Sequence, residues 1–145
     1  MLLVDTNILV YAADIDSNFH VPCNQWLERQ QRQLGAWYIT WPIIYEFLRV
    51  TTHPRIKRRP FSLSTAWEFV TALLASPGLA VLIATDRHVQ VAAEVISELP
   101  HLAGNILHDA HTAILMREHG ILQICTRDTD FHRFPFIEVI DPMQS

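Results

Sequence analysis

The sequence predicts an α/β protein built around a parallel sheet of about five strands. Short apolar runs of the kind that form strands alternate along the chain with longer segments that have helical periodicity. The short runs are apolar throughout, which is typical of parallel strands buried on both faces. At 145 residues, half of them hydrophobic, the chain has the size of a single domain, residues 1–145, with one substantial core.

Five apolar runs are the predicted strands. In chain order they are "LLV" at 2–4, "WYIT" at 37–40, "LAVLIA" at 79–84, "LQICT" at 122–126 and "FIEVI" at 136–140. The predicted helices lie between the strands, and several have typical ends: a proline in the first turn, a serine N-cap or a glycine after the last turn. They are "SNFHVPCNQWLERQQRQL" at 17–34, "PIIYEFLRVTT" at 42–52, "SLSTAWEFVTALLAS" at 62–76, "RHVQVAAEVISEL" at 87–99 and "NILHDAHTAILMREHG" at 105–120.

Composition limits the location of the protein and its mode of binding. No apolar run approaches the roughly 20 residues of a membrane helix, and no basic segment precedes "MLLVD", so we expect a cytoplasmic protein without a signal peptide. Cys23 and Cys125 are far apart in the sequence and are expected to be buried thiols in a reducing compartment. The net charge of −4 argues against a protein that coats nucleic acid non-specifically.

Acidic residues follow three of the predicted strands. Because ligands bind beyond the carboxyl ends of parallel strands, such acids are candidate site residues. Asp5 follows the first strand, Asp86 the third, and Asp128 and Asp130 the fourth. Asp5 has the alternative role of an N-cap for a following helix, and for Asp86 this role is favoured because no other polar residues converge there. Asp86 is therefore left out of the site.

Two further acids lie on predicted helices. Glu46 interrupts the apolar segment "PIIYEFL" at the border of the core, although it could simply pair with Arg49 one turn later. Asp109 falls in the first turns of its helix, where the helix dipole alone would favour a carboxylate. A parallel sheet can bring Asp5, Glu46, Asp109 and Asp128 together at one edge. Such carboxylates repel one another unless cations neutralise them, and hard oxygen ligands suit Mg²⁺ or Mn²⁺.

A pair of histidines leaves zinc as an alternative metal. His108 and His111 are spaced so that they share one helix face, but no other Cys or His set has matching spacing. A basic segment adds a second feature, since "RVTTHPRIKRR" at 49–59 contains five of the eleven basic residues. These five could follow an RNA backbone, or they could form a solvated loop: Arg49, Arg55, Lys57, Arg58 and Arg59.

The motifs together resemble those of the PIN-domain nucleases, specifically the VapC-type toxins of toxin–antitoxin modules. The resemblance rests on "LLVDTNILVYA", the glutamate of "YEFLRVTT", "ILHDAHTAILMREHG" and "TRDTDFHRF" in this order, and it covers nearly the whole chain. It implies a three-layer α/β/α sandwich and a metal-dependent endoribonuclease that acts on RNA, such as a transfer RNA or a ribosomal RNA loop. It also implies a homodimer and inhibition by a VapB-type antitoxin.

The resemblance assigns roles to individual residues. The implied metal-binding and catalytic acids are Asp5, Glu46, Asp109 and Asp128, and the implied supporting residues are Thr6, Asn7, Thr126 and Asp130. Asp128 is preferred to Asp130 as the fourth acid because it follows the strand sooner. Three rival functions remain. The isolated glycines disfavour a dinucleotide-binding enzyme, and Asn7 disfavours a phosphatase with an aspartyl nucleophile. A catalytically weak RNA- or protein-binding module of the same fold is the third.

Overall fold

The computed structural model describes residues 1–144, in which five strands form one sheet. The strands are β1 (Leu2–Val4), β2 (Trp37–Thr40), β3 (Leu79–Leu82), β4 (Gln123–Cys125) and β5 (Glu138–Ile140). Their order is β3-β2-β1-β4-β5, and all four neighbouring pairs are parallel. The predicted parallel sheet is thereby confirmed. Three strands are shorter than predicted; β3, for example, ends at Leu82, because Ile83 and Ala84 are exposed and leave the sheet.

Within residues 1–144, six α-helices connect the strands. They are α1 (Thr6–Ala13), α2 (His20–Arg32), α3 (Trp41–Thr52), α4 (Leu63–Leu74), α5 (His88–Glu98) and α6 (Ile106–Glu118). Several predicted ends are confirmed. Pro42 lies in the first turn of α3, the Ser62 hydroxyl accepts a hydrogen bond from the Thr65 amide at the start of α4, and Gly120 takes a positive φ of 71° just after α6. Only glycine adopts that backbone conformation without steric cost.

The order of the strands explains the three layers. The chain moves from β1 to β2 to β3 in one direction across the sheet, with α1 to α4 in the connections. It then returns from β3 to β4 through α5 and α6 in the opposite direction. Because crossovers between parallel strands are right-handed, these two sets of helices cover opposite faces of the sheet. This α/β/α sandwich is the predicted fold class.

Apolar side chains of the central strands fill the core on both faces of the sheet. Leu3, Val4, Ile124 and Cys125 in β1 and β4 have no exposed surface, as expected for strands covered by helices on either side. Helix α6 packs on the main core and also, through Ile114, on a smaller cluster with α5. It is therefore a firmly held element. Both cysteines are buried free thiols, as predicted.

The N-cap role predicted for Asp86 is wrong. Helix α5 has Arg87 at its N-cap position, and no side-chain cap hydrogen bond is formed there. Other acceptors satisfy the amides of this turn: the Thr85 hydroxyl accepts a hydrogen bond from the Arg87 amide at 3.1 Å, and the Glu118 carboxylate accepts one from the Thr85 amide. Asp86 was left out of the site because a cap role was expected. The structure instead shows it as an exposed residue without that role.

The sheet has one switch point in its strand order, between β1 and β4. From β1 the chain crosses to β2 on one side, while β4 pairs with β1 on the other side. The carboxyl ends of these two strands face the starts of α1 and the segment after β4. Ligand sites of open parallel sheets lie at this position. None of the described helices has both the length and the apolar character that a membrane-spanning helix needs.

Candidate metal centre

A cavity of about 470 Å³ opens at the carboxyl edge of the sheet, beside the switch point. Its wall is formed by Asp5, by residues of α1, α3 and α6, and by the segments after α3 and β4. All four acids predicted as metal ligands line this one cavity: Asp5, Glu46, Asp109 and Asp128. They span more than 120 positions of the sequence, from Asp5 to Asp128, and the fold brings them together at one place.

Asp5 is held in a fixed orientation by three hydrogen bonds. It is the N-cap of α1, where Oδ1 accepts a hydrogen bond from the Thr6 amide at 2.8 Å. Its Oδ2 atom accepts from the Thr126 hydroxyl at 2.8 Å and from the Asn7 side-chain amide at 3.3 Å. The cap role and the site role are therefore compatible, since the carboxylate caps the helix and also borders the cavity.

Thr126 is the polar centre that joins the ends of β1 and β4. Its buried hydroxyl donates to Asp5 and accepts hydrogen bonds from the Asn7 side-chain amide and the Asp128 main-chain amide, both at 2.9 Å. The Asn7 side-chain oxygen in turn accepts from the Arg127 amide at 3.1 Å. The structure thus places three of the four predicted supporting residues, Thr6, Asn7 and Thr126, in direct contact with Asp5.

Three aspartates lie close enough to share a cation. Oxygen atoms of Asp109, Asp128 and Asp130 are all within 4.8 Å of one another. Asp109 comes from the first turn of α6, whereas Asp128 and Asp130 belong to the turn after β4, in which the Asp130 amide donates to Asp128 Oδ1 at 2.9 Å. Asp128 lines the cavity and Asp130 does not, although Asp130 is exposed right beside it.

Burial and mutual repulsion raise the pKa values of two carboxylates in this cavity. Burial raises the pKa of Asp109 to about 7, and the charges of Asp128, Asp5 and Asp130 add to the effect. Burial also raises the pKa of Asp5, against the hydrogen bonds from Thr126 and Thr6. Among the described residues, no arginine or lysine forms an ion pair with any of these four aspartates. Bringing them together therefore costs free energy that a divalent cation would recover.

Glu46 is not one of the three acids whose oxygen atoms lie close enough to share an ion, although its charge helps to raise the pKa of Asp5. Its carboxylate forms a two-pronged ion pair with the Arg49 guanidinium, at 2.6 and 3.1 Å, and both side chains are about half exposed. The simple i, i+3 pair that the sequence allowed is therefore present, while Glu46 also borders the cavity. An exposed pair of this type stabilises a protein by less than about 1 kcal/mol, so it is easily exchanged for another partner.

The basic segment is largely tied down by carboxylates. Lys57 pairs with Asp14 at 2.9 Å and Arg59 pairs with Asp16, so that two ion pairs attach the segment to the turn after α1. Arg49 is held by Glu46. Arg55 and Arg58 are exposed, and among the described residues neither has an ion pair. The basic segment therefore offers fewer unpaired cations than its five positive charges suggest.

Other residues of the cavity were not predicted as site residues. His108 and His111 line it near Asp109, and Tyr11 and Thr112 complete its wall. Burial lowers the pKa of His111, and the neighbouring His88 adds to this shift. Zinc has little support, because the described group close enough to share an ion consists of aspartates alone. The spacing of His108, His111 and Thr112 shows in the sequence that they can share one helix face. No other feature of the sequence indicated that this face borders a site.

Fold and site together define a class: an α/β/α protein with a carboxylate cluster at the switch point of its parallel sheet, suited to a divalent cation. Comparison with known proteins narrows this class. The model of the PIN domain matches residues 2–137, and the chain belongs to this family. Ribonuclease VapC48 of Mycobacterium tuberculosis is 32% identical over 138 residues, which cover 95% of this chain and 94% of VapC48.

Solved structures agree on the fold. The crystal structure of VapC20 of Mycobacterium tuberculosis, described as a toxin that cleaves the sarcin–ricin loop, superimposes with a TM-score of 0.65 at 16% identity. The superimposed region covers 97% of this chain and 100% of the VapC20 chain. The VapBC2 complex of Rickettsia felis, bound to a DNA fragment from its promoter, gives a TM-score of 0.66 at 16% identity and covers 96% of each chain. At this identity the likeness concerns the fold alone.

Proposed function

We propose that this protein is a metal-dependent endoribonuclease of the VapC type, which hydrolyses phosphodiester bonds of RNA. The observation that carries the proposal is the gathering of Asp5, Asp109 and Asp128 around one open cavity without a cationic partner from the described chain. The ribonuclease names of relatives that share nearly the full length support it. A catalytically weak binding module would not need to keep such a cluster, which is unfavourable in the absence of metal.

The donor set fits a hard divalent cation. Carboxylate oxygens, with no thiolate and no required imidazole, are the ligands that Mg²⁺ and Mn²⁺ prefer. We propose that Asp5, Asp109, Asp128 and Glu46 hold the metal, with Asp130 next to them. When bound, such a cation lowers the pKa of a coordinated water and offsets the charge that develops on a phosphodiester during hydrolysis.

The chain itself supplies orientation. Asp5 and Asp128 are both attached to the Thr126 hydroxyl, so that the ends of β1 and β4 cannot move independently. Asp109 is fixed by α6, which packs on two clusters of the core. Because burial raises the pKa of Asp109 to about 7, a metal ion competes with a proton for this carboxylate near neutral pH. Fixed carboxylates of this kind reduce the reorganisation that a reaction requires.

We propose that the RNA backbone is contacted by the basic segment, with Arg55 and Arg58 as its freest cations and Arg49, Lys57 and Arg59 contributing from their ion pairs. RNA that is single-stranded or looped would fit best, because the scissile bond must enter the cavity. A transfer RNA or a ribosomal RNA loop in the cytoplasm is the substrate class that we propose.

A VapB-type antitoxin is the proposed partner, and a homodimer the proposed assembly. Two features support the partner. The unneutralised aspartates can accept an arginine of an inhibitor. Apolar side chains are exposed beside the cavity residues of α3, where Trp41 precedes Pro42 and Tyr45 precedes Glu46. Leu63 and Trp67 are exposed on α4. Exposed aromatic groups beside a charged cavity are typical of protein-binding surfaces.

Cleavage of RNA by the purified protein tests the function. We expect cleavage with Mg²⁺ or Mn²⁺, none with a chelator, and a loss of more than about 100-fold in the Asp128→Asn variant, because residues that only orient a metal ligand already contribute 10–100-fold. Asp86→Asn is the matched control, since this acid is exposed and outside the cavity. Cleavage that persists in chelator, or equal activity of both variants, would contradict the proposal.

A further inference from the structure

We infer that Lys57 forms a second phosphate-binding site within the same cavity, which holds an RNA phosphate on one side of the bond to be cut. The inference rests on the proposed ribonuclease function and adds to it a fixed distance between the cut bond and a recognised phosphate. Lys57 differs in this respect from the arginines of the basic segment, which lie outside the cavity wall.

Lys57 lines the cavity together with the acids. It is the one lysine of the chain, and among the described residues it is the one lysine or arginine on the wall of this cavity. Four carboxylates that border the same cavity would repel the phosphates of an entering strand. A cation on the wall offsets this repulsion at one point, and its position decides which phosphate is tolerated there.

The ammonium group is held in place rather than free. The main-chain amide of Lys57 donates to the His53 carbonyl at 3.0 Å, which fixes the turn after α3, and its Nζ atom donates to Asp14 Oδ2 at 2.9 Å. Its side chain is only 18% exposed. An ammonium group has three donors, of which Asp14 takes one, so donors remain for a phosphate. A positioned cation binds such an anion with less loss of entropy.

Helix α1 separates the two sites. Asp5 caps its start and Asp14, the partner of Lys57, follows its last residue. Eight helical residues span about 12 Å, and a stacked strand advances about 3.4 Å per nucleotide, so the two sites are roughly two to four nucleotides apart. Val10, Tyr11, Ile43 and Val50 line the cavity between them and offer apolar contact to sugars and bases.

The neighbouring ion pair provides a matched comparison. Arg59 and Asp16 join the same two segments as Lys57 and Asp14, with the same sequence separation. The Arg59 side chain is 68% exposed and does not line the cavity. If the basic segment acted only through its tethers or its general charge, the loss of either cation would have the same effect.

The first experiment combines variants with modified substrates. Oligoribonucleotides carry one neutral methylphosphonate at successive positions around the cut bond. For the wild-type protein we expect one flanking position at which the neutral group lowers kcat/KM about 10-fold, the size of one charge-assisted hydrogen bond. In Lys57→Met the natural substrate should lose the same factor and show no further loss at that position. Arg59→Met, which removes another proposed RNA contact, should lower kcat/KM to a similar extent on every substrate and keep the additional loss at that one position. Equal profiles for Lys57→Met and the wild-type protein would overturn the inference.

A second experiment needs no catalysis. Because Lys57 is the one lysine, its ammonium group is the only side-chain primary amine of the chain, and mass spectrometry separates its acetylation by an activated ester from that of the N-terminal amine. An oligoribonucleotide should slow acetylation of Lys57 several-fold and leave the N-terminal amine unaffected. Protection without any RNA cleavage would refute the proposed nuclease and keep the phosphate site. Cleavage without protection would refute the phosphate site alone.

Discussion

Helix α6 carries two carboxylates whose pKa values are shifted in opposite directions. Asp109 lies in its first turn, and burial with the charges of Asp128, Asp5 and Asp130 raises its pKa to about 7. Glu118 is the last residue of the same helix, and its side chain has no exposed surface. Burial acts to raise the pKa of Glu118 too, but hydrogen bonds from Thr85 and His88 outweigh it and hold the pKa at about 2.

The difference shows that burial alone does not mark a functional carboxylate. Glu118 is the more buried of the two, yet it accepts hydrogen bonds from the Thr85 amide and from His88 Nδ1, the latter at 2.6 Å. Its negative charge is satisfied by the chain, as in a structural ion pair. Asp109 has like charges as neighbours, and none of the described lysines and arginines forms an ion pair with it. A bound cation would therefore stabilise its negative charge. Substitutions at Asp109 and at Glu118 should therefore separate the role of a ligand-binding carboxylate from that of a structural one.

The largest effect is expected for Asp109→Asn. Removal of this proposed metal ligand should lower RNA cleavage by more than about 100-fold, since residues that only support such ligands contribute 10–100-fold. The metal-free variant should be as stable as the wild-type protein or more stable, because one repelling charge is gone. Cleavage assays and urea unfolding in chelator measure both quantities. A variant that is inactive because it is unfolded would contradict the assigned role.

Glu118→Gln should have the opposite signature. The amide is nearly isosteric but loses the charge-assisted hydrogen bonds to Thr85 and His88, at a cost of about 2 kcal/mol in the free energy of unfolding. The folded fraction should cleave RNA at nearly the wild-type rate, because Glu118 does not line the cavity. Urea unfolding and cleavage per folded molecule are the measurements. A loss of activity without a loss of stability would place Glu118 in the catalytic site.

The two carboxylates should also give opposite pH dependences of stability. Glu118 has a folded pKa of about 2, below its ordinary 4.5, so its contribution is present above pH 4.5 and is lost as the pH falls through 2. Asp109 has a folded pKa of about 7, above its ordinary 3.8, so stability falls as the pH rises from 3.8 to 7. Its share is on the order of 1 kcal/mol after solvent screening.

Unfolding of the wild-type protein in chelator should therefore show maximal stability at about pH 4 to 5. With excess Mg²⁺ the decline toward neutral pH should disappear, because the cation binds the deprotonated carboxylates and stabilises the folded state by mass action. Asp109→Asn should lack most of the decline in chelator. A decline that is unchanged by both Mg²⁺ and the substitution would assign it to other groups.

Much of this arrangement could be predicted from the sequence, because the signals are local. Apolar runs predicted all five strands, and Asp5, Asp109 and Asp128 were found from their positions after strands or at a helix start. The burial and hydrogen bonding of Glu118 could not be predicted, since its partners lie 30 and 33 positions away and depend on how α5 packs against α6. The same long-range packing left Asp86 without its predicted cap role.

The basic segment shows the other limit of the sequence. Five cations within eleven residues indicated a surface for RNA or a solvated loop, but three of them form ion pairs within the chain, with Glu46, Asp14 and Asp16. These acids are spread over two other segments, and the two tethers bridge 43 positions. The composition of a segment reports its charge and not its partners, which only the folded chain determines.

The smallest effect is expected at the half-exposed pair of Glu46 and Arg49. Arg49→Met should change the free energy of unfolding by less than about 0.5 kcal/mol, because solvent screens such pairs. It leaves Glu46 without its cation and so makes this acid resemble the aspartates of the cavity. Half-saturation of cleavage should then occur at a lower Mg²⁺ concentration than in the wild-type protein, since the metal no longer competes with a guanidinium. Metal titrations of Arg49→Met and of the control Arg59→Met would measure the shift, and equal curves would show that Glu46 does not contact the cation.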